Sequence, residues 1–180
     1  MITIKQLKKR IYAILENFKN EIPTSIFIRK PKCDWDDEYC GIYGNGHRFI
    51  ITISRGYQKG ILLFALPFAI YHEIGHVYCY WENGQSHSRL AEVYADKFSI
   101  EQMVKYRIKL IWLRIFMYFV YRKFQRLGIY RTLYHYYYAL VVKVPEEDRI
   151  DIHPFEIERF LYCWKYLIKL RLHNIIKRPS

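Results

Sequence analysis

The chain has 180 residues, of which 52% are hydrophobic and 18% aromatic, with a formal net charge of +12. That length suits one domain that buries a core without staples, and the apolar content excludes an intrinsically disordered chain. The charge is uneven: residues 1–100 hold 13 Lys/Arg against 10 Asp/Glu, a net of +3, while residues 101–180 hold 16 against 7, a net of +9.

A basic, aromatic second half suits an anionic membrane surface or nucleic acid, and it equally suits solvated helix faces. Cys33, Cys40, Cys79 and Cys163 form no C-x-x-C pair. The opening MITIKQLKKRIYAILENFKN lacks the uninterrupted apolar run of a secretory signal. A reducing, cytoplasmic setting is therefore expected, peripheral to a membrane if the basic half docks there. A Cys33–Cys40 disulfide stays open at this point.

In chain order, Ile4, Leu7, Ile11, Ile14, Leu15 and Phe18 recur at helical spacing behind Thr3, a candidate N-cap. Pro23 ends that unit, and SIFIRK (25–30) reads as a strand. The acidic CDWDDEYC (33–40) reads as an exposed turn in preference to a cation site, which would need more oxygen ligands. YCGIYGNGHRFIITIS (39–54) reads as a hairpin turning at Asn45-Gly46. Residues 56–81 read as a helix that Pro67 either kinks or restarts. ENGQSHS is a loop, and RLAEVYADKFSIEQMVKY (89–106) is a second helix.

From Ile108 to Tyr121 the chain is apolar apart from Lys109 and Arg114. A membrane span needs about 20 such residues, so a buried or interfacial helix is expected and no transmembrane span. Aromatic helices continue to about Val142, PEEDRIDIHPFE is a loop, and a last helix with a basic end covers about 155–176. The fold class expected is α+β: a small antiparallel sheet on the 56–81 helix and the 89–106 helix, followed by further helices.

AIYHEIGHVYCYW (69–81) carries the chemistry. Residues four apart share one helix face, so His72 and His76 can offer imidazole nitrogens to one ion, and neutral imidazole suits zinc. Glu73, beside the first ligand, can take a proton from water without entering the coordination shell. H-E-x-x-H on a helix is the signature of metal-assisted hydrolysis; the bland alternative is a pair of surface histidines. A catalytic site also needs a third protein ligand and an open position. In AEVYADKF, Glu92 and Asp96 again share one face. Glu92 can ligate from this second helix, and Asp96 can accept the free N–H of a ligand histidine, His72 above all, which fixes its tautomer. Ala91 and Ala95 are small enough for close approach. The alternative here is two solvated carboxylates.

HEIGH followed by E-x-x-A-D resembles the gluzincin zinc metallopeptidases. AEVYADKFS is similar to the corresponding element of the CAAX prenyl protease type 1 and HtpX-like family, in which a His-Pro motif followed by Arg comes later. Here that motif is DIHPFEIER, with His153, Pro154 and Arg159. The ImmA/IrrE-type peptidases share the first two elements and are the close rival. The chain departs from the CAAX proteases in lacking their multiple membrane spans and in its aromatic middle helices.

The resemblance implies a zincin-like fold with residues 1–104 as its core and 105–180 as a basic, aromatic helical extension carrying His153, all in one domain. It implies one zinc ion on His72, His76 and Glu92, with Glu73 as general base, Asp96 orienting a ligand histidine, and His153 near the metal. His47, His87, Tyr94 and His135 are further candidates for transition-state contacts. The likeness also implies an extended protein or peptide substrate pairing along FIITI as a sheet edge. The function expected is a zinc-dependent endopeptidase. The alternatives are a catalytically retired zincin used for binding, and a basic helical module for protein, nucleic acid or membrane in which His153 closes a structural zinc site.

Overall fold

The protein is described from a computed structural model, which covers residues 1–30, 40–44, 48–84, 89–121, 128 and 156–176. Thr3 starts the first helix, α1 (Ile4–Leu15). Its hydroxyl accepts from the Gln6 backbone N–H while the Gln6 side chain accepts from the Thr3 N–H. This reciprocal box satisfies two donors that a helix start leaves orphaned. Leu7, Ile11 and Leu15 are buried along one face, and Phe18 follows them into the core.

Three strands follow: β1 (Thr24–Arg29), β2 (Cys40–Gly44) and β3 (Phe49–Ser54). Their order in the sheet is β1-β3-β2. β2 runs antiparallel to β3 with Ile42 opposite Ile51, whereas β1 runs parallel to β3 with Ile26 opposite Ile51. Two expectations are corrected here. The sheet is mixed, not antiparallel, and FIITI is its central strand, not an edge. Hairpin logic is local: it pairs β2 with β3 and leaves open which side of β3 the first strand takes. β3 carries the buried Phe49, Ile51 and Ile53, and the strand with the most apolar inner face gains most from neighbours on both sides, at about 1.5–3 kcal/mol per buried aliphatic side chain.

A turn of 3-10 helix (Arg55–Gln58) leads into α2 (Gly60–Asn83), whose residues are buried almost continuously from Ala65 to Val77. The helix continues through Pro67, which does not restart it. Proline removes one intrahelical donor, and nearby the Arg114 guanidinium donates to the Phe64 carbonyl. Gly84 closes α2 in the left-handed region at φ 68°, its N–H donating to the Tyr80 carbonyl. By length and composition α2 is long and apolar enough to cross a membrane, and 61% of its most apolar window is buried inside this fold.

α3 (Arg89–Lys105) packs along α2. A Cβ added at Gly75 would lie 2.7 Å from the Ala95 Cα, so glycine on one helix faces alanine on the other and the two backbones nearly touch. The chain then turns through Arg107 and Leu110, both at positive φ, into a short α4 (Ile111–Phe116) that loosens into a π-turn at Met117–Tyr121. The single helix expected over 108–121 thus starts later, at Ile111, and reaches Tyr121 with its last residues in π pitch. The last helix, α5 (Glu156–Ile176), returns against α3 and α4 with Cys163 and Leu167 buried. Cys40, Cys79 and Cys163 are free thiols, so no bridge ties Cys40. The acidic stretch before Cys40, the Asn45-Gly46 turn and the aromatic stretch near Val142 lie outside the described residues.

Candidate metal centre

His72 and His76 stand one turn apart on α2, and the 3.6-residue period brings their rings together. Their Nε2 atoms are 3.0 Å apart. Glu92, in the first turn of α3, reaches both: its Oε2 lies 3.3 Å from His72 Nε2 and its Oε1 3.4 Å from His76 Nε2. The close seating of α3 on Gly75 makes that reach possible. His72 and Glu92 are buried, and Phe68, one turn earlier on α2, stacks on the His72 ring at 6.2 Å.

On its other side His72 Nδ1 lies 2.9 Å from Asp96 Oδ1. The approach is off the N–H axis, so it is a close polar contact and not a straight hydrogen bond. Asp96 is fully buried and is gripped side-on by Arg159 of α5, with Nε to Oδ2 at 2.8 Å and Nη2 to Oδ1 at 2.7 Å. The same Nη2 lies 3.1 Å from Glu92 Oε2, and the guanidinium rests 4.8 Å from the centre of the Phe119 ring. A charge-assisted fork of this kind is among the stronger polar pairings available to a protein.

The electrostatics follow from burial and neighbours. Burial alone would lower His72, but the Asp96 and Glu92 contacts outweigh it and lift the imidazole to about 9. Burial lowers His76 and prevails there, against the raising contact with Glu92. Burial would raise Glu92, yet the two histidines hold it well below the usual carboxylate range. Asp96 is likewise held low, because Arg159 outweighs its burial. Glu73 is the exception among the carboxylates. Burial pushes it up to about 7, against the lowering effect of His72, while its Oε2 accepts from the Ile42 N–H of β2 at 3.2 Å.

Nitrogens of two histidines and an oxygen of a carboxylate, all within 4.8 Å of one another, form a group that could hold a metal ion. His76 Nδ1 is buried with no hydrogen-bond partner among the described residues. This orphan suits a ring whose other nitrogen is spent on an ion. Comparisons with protein families, curated proteins and solved structures return no match for this chain.

The structure brings together His72, His76, Glu92 and Asp96 as the spacing predicts, with Glu73 beside them. Tyr94 does not join them: it stands two residues from Glu92, off that face, and burial, with Glu82 nearby, raises its phenol above the ordinary value. His47, His87, His135 and the His153-Pro154 pair lie outside the described residues. Sequence reasoning missed three contributors. Arg159 was visible only as part of a motif, although it shares a helix face with Cys163 and Leu167, where an arginine needs a buried anion. The Ile42 N–H is backbone and leaves no trace in residue type. Gly75, inside HEIGH, signals a close approach that only a partner helix makes legible.

Proposed function

We propose that this protein is a zinc-dependent metallopeptidase of the zincin type, similar in its active-site plan to the gluzincins. The observation that carries the reading is the spacing of the three donors. Ligands about 2.0–2.1 Å from a tetrahedral zinc stand about 3.3–3.4 Å from one another; here the two imidazole nitrogens are 3.0 Å apart and each faces its own Glu92 oxygen, His72 at 3.3 Å and His76 at 3.4 Å. Among the described residues the donor set is two imidazoles and one carboxylate, which leaves a fourth position for water, as a catalytic ion requires. When bound, the ion would supply Lewis acidity, lowering the pKa of a bound water toward about 7 and polarising a carbonyl.

The chain's own residues do the rest. Glu73, near neutrality in its pKa, can take the proton of the attacking water and pass it to the leaving amine. Asp96, charged by Arg159, holds the His72 ring from behind. β2 pairs with β3 on one side and turns the Ile42 N–H the other way, toward Glu73. An extended peptide added along that side of β2, which is the sheet edge among the described residues, would lie beside the general base. The substrate edge is therefore assigned to β2, in place of FIITI.

Glu73→Gln tests the base. The variant should keep one zinc per chain and lose about 100-fold or more in cleavage of casein or a peptide library, the usual worth of general acid–base catalysis. Full activity in the variant would remove Glu73 from the mechanism, and native protein that binds no zinc would end the reading altogether.

A further inference from the structure

We propose that the protein docks on an anionic lipid surface through a ridge shared by α5 and the turn before α4. On α5, Leu161, Trp164, Ile168 and Leu172 follow one another at three- and four-residue spacing and so lie along one stripe. This stripe flanks the buried face of Cys163 and Leu167 and is left facing out: Trp164 is 37% exposed, Ile168 47% and Leu172 55%. Trp112, 43% exposed, meets Trp164 edge to face at 6.5 Å, and Leu110, 51% exposed, adds to the same side of the molecule. Side chains of this size are costly to leave in water as one patch, and contiguous patches mark interaction sites.

Charge decides what covers the ridge. Lys165 and Lys169 border it on α5, and both are exposed. At its far end a cleft of about 580 Å³ is lined by Arg107, Lys109 and Arg171 together with aliphatic side chains, and its described lining holds no carboxylate. Arg107 and Leu110 sit in the left-handed backbone region, at φ 52° and 55°. Such strain is costly for residues with a Cβ and tends to gather at functional sites. Two stretches of sequence, 102–145 and 159–180, contain no aspartate or glutamate at all.

Tryptophans and aliphatics bordered by lysine and arginine match the layering of a bilayer surface. The rings and chains enter the headgroup boundary, and the cations stay at the level of the lipid phosphates. A nucleic acid would use the cations and leave the aliphatic stripe in water. The inference does not rest on the peptidase reading, since no ridge residue belongs to the metal centre.

The test uses the full-length chain carrying Glu73→Gln, so that hydrolysis plays no part. Cosedimentation is measured with phosphatidylcholine vesicles and with vesicles that also contain phosphatidylglycerol, at low and high salt. Binding should require the anionic lipid, weaken with salt, and shift tryptophan emission to the blue, with a smaller shift in Trp164→Phe. Lys165→Gln with Lys169→Gln should weaken binding roughly thirty-fold, at the usual worth of a cation near an anionic leaflet. Ile168→Ser with Leu172→Ser should weaken binding while circular dichroism stays unchanged. Equal binding to neutral vesicles, no binding at low salt, or insensitivity to both double variants would overturn the proposal. So would salt-sensitive binding to a random RNA oligonucleotide by a protein that ignores the vesicles.

Discussion

At the scale of single residues, the proton on His72 governs when an ion can enter. With the imidazole raised from an ordinary 6.5 to about 9, the ion-free protein holds it charged between Asp96 and Glu92 at neutral pH. The sign follows. This pairing stabilises the ion-free fold fully below about pH 6.5 and fades as pH rises toward 9. Metal needs the neutral ring, so uptake at neutral pH expels that proton. His76 and Glu92, both shifted down, are already in their ligating forms. Apparent zinc affinity should therefore rise about tenfold per pH unit between pH 7 and 9 and level off above. Competition against a chromophoric chelator across that range, with proton release recorded, checks it. A flat profile would mean that His72 is neutral before the ion arrives.

At the scale of elements, the contact between α2 and α3 positions Glu92, the third donor of the candidate centre. Gly75→Ala places a methyl group 2.7 Å from the Ala95 Cα, which is backbone and cannot swing aside. Overpacking of this kind costs about 1–3 kcal/mol. Because α3 also carries Glu92, the same displacement should weaken zinc binding along with the thermal midpoint. A variant that loses stability but binds zinc as the native protein does would show that α3 yields elsewhere. The legibility of the sequence divides along this line. The HEIGH and AEVYAD spacings were readable because each pair lies within one helix, where periodicity alone puts side chains on a common face. The Thr3 cap and the β2–β3 hairpin were readable for the same local reason. The parallel seat of β1, the central place of FIITI, and the Arg159–Asp96 fork across 63 residues are products of tertiary packing. No local pattern encodes them.

At the scale of the whole molecule, the centre concentrates buried charge that an ion would relieve. Glu73, Glu92 and Asp96 face Arg159 and the two histidines with little water to screen them. A ligand at a hundredfold excess over its Kd stabilises the folded state by about 2.7 kcal/mol. For a chain of this length that is roughly 5–10 °C in Tm. Thermal denaturation with zinc and with a chelator should differ by about that amount, and Glu92→Gln should abolish most of the difference. Identical melting curves for the native protein would mean that no ion is held.

The guanidinium that charges Asp96 arrives late. During synthesis both imidazoles and Glu92 leave the ribosome well before α5, so the fork that grips Asp96 behind His72 forms only once that helix docks. The candidate centre is thereby completed last, so a half-made chain carries the parts of a blade but not its rivet.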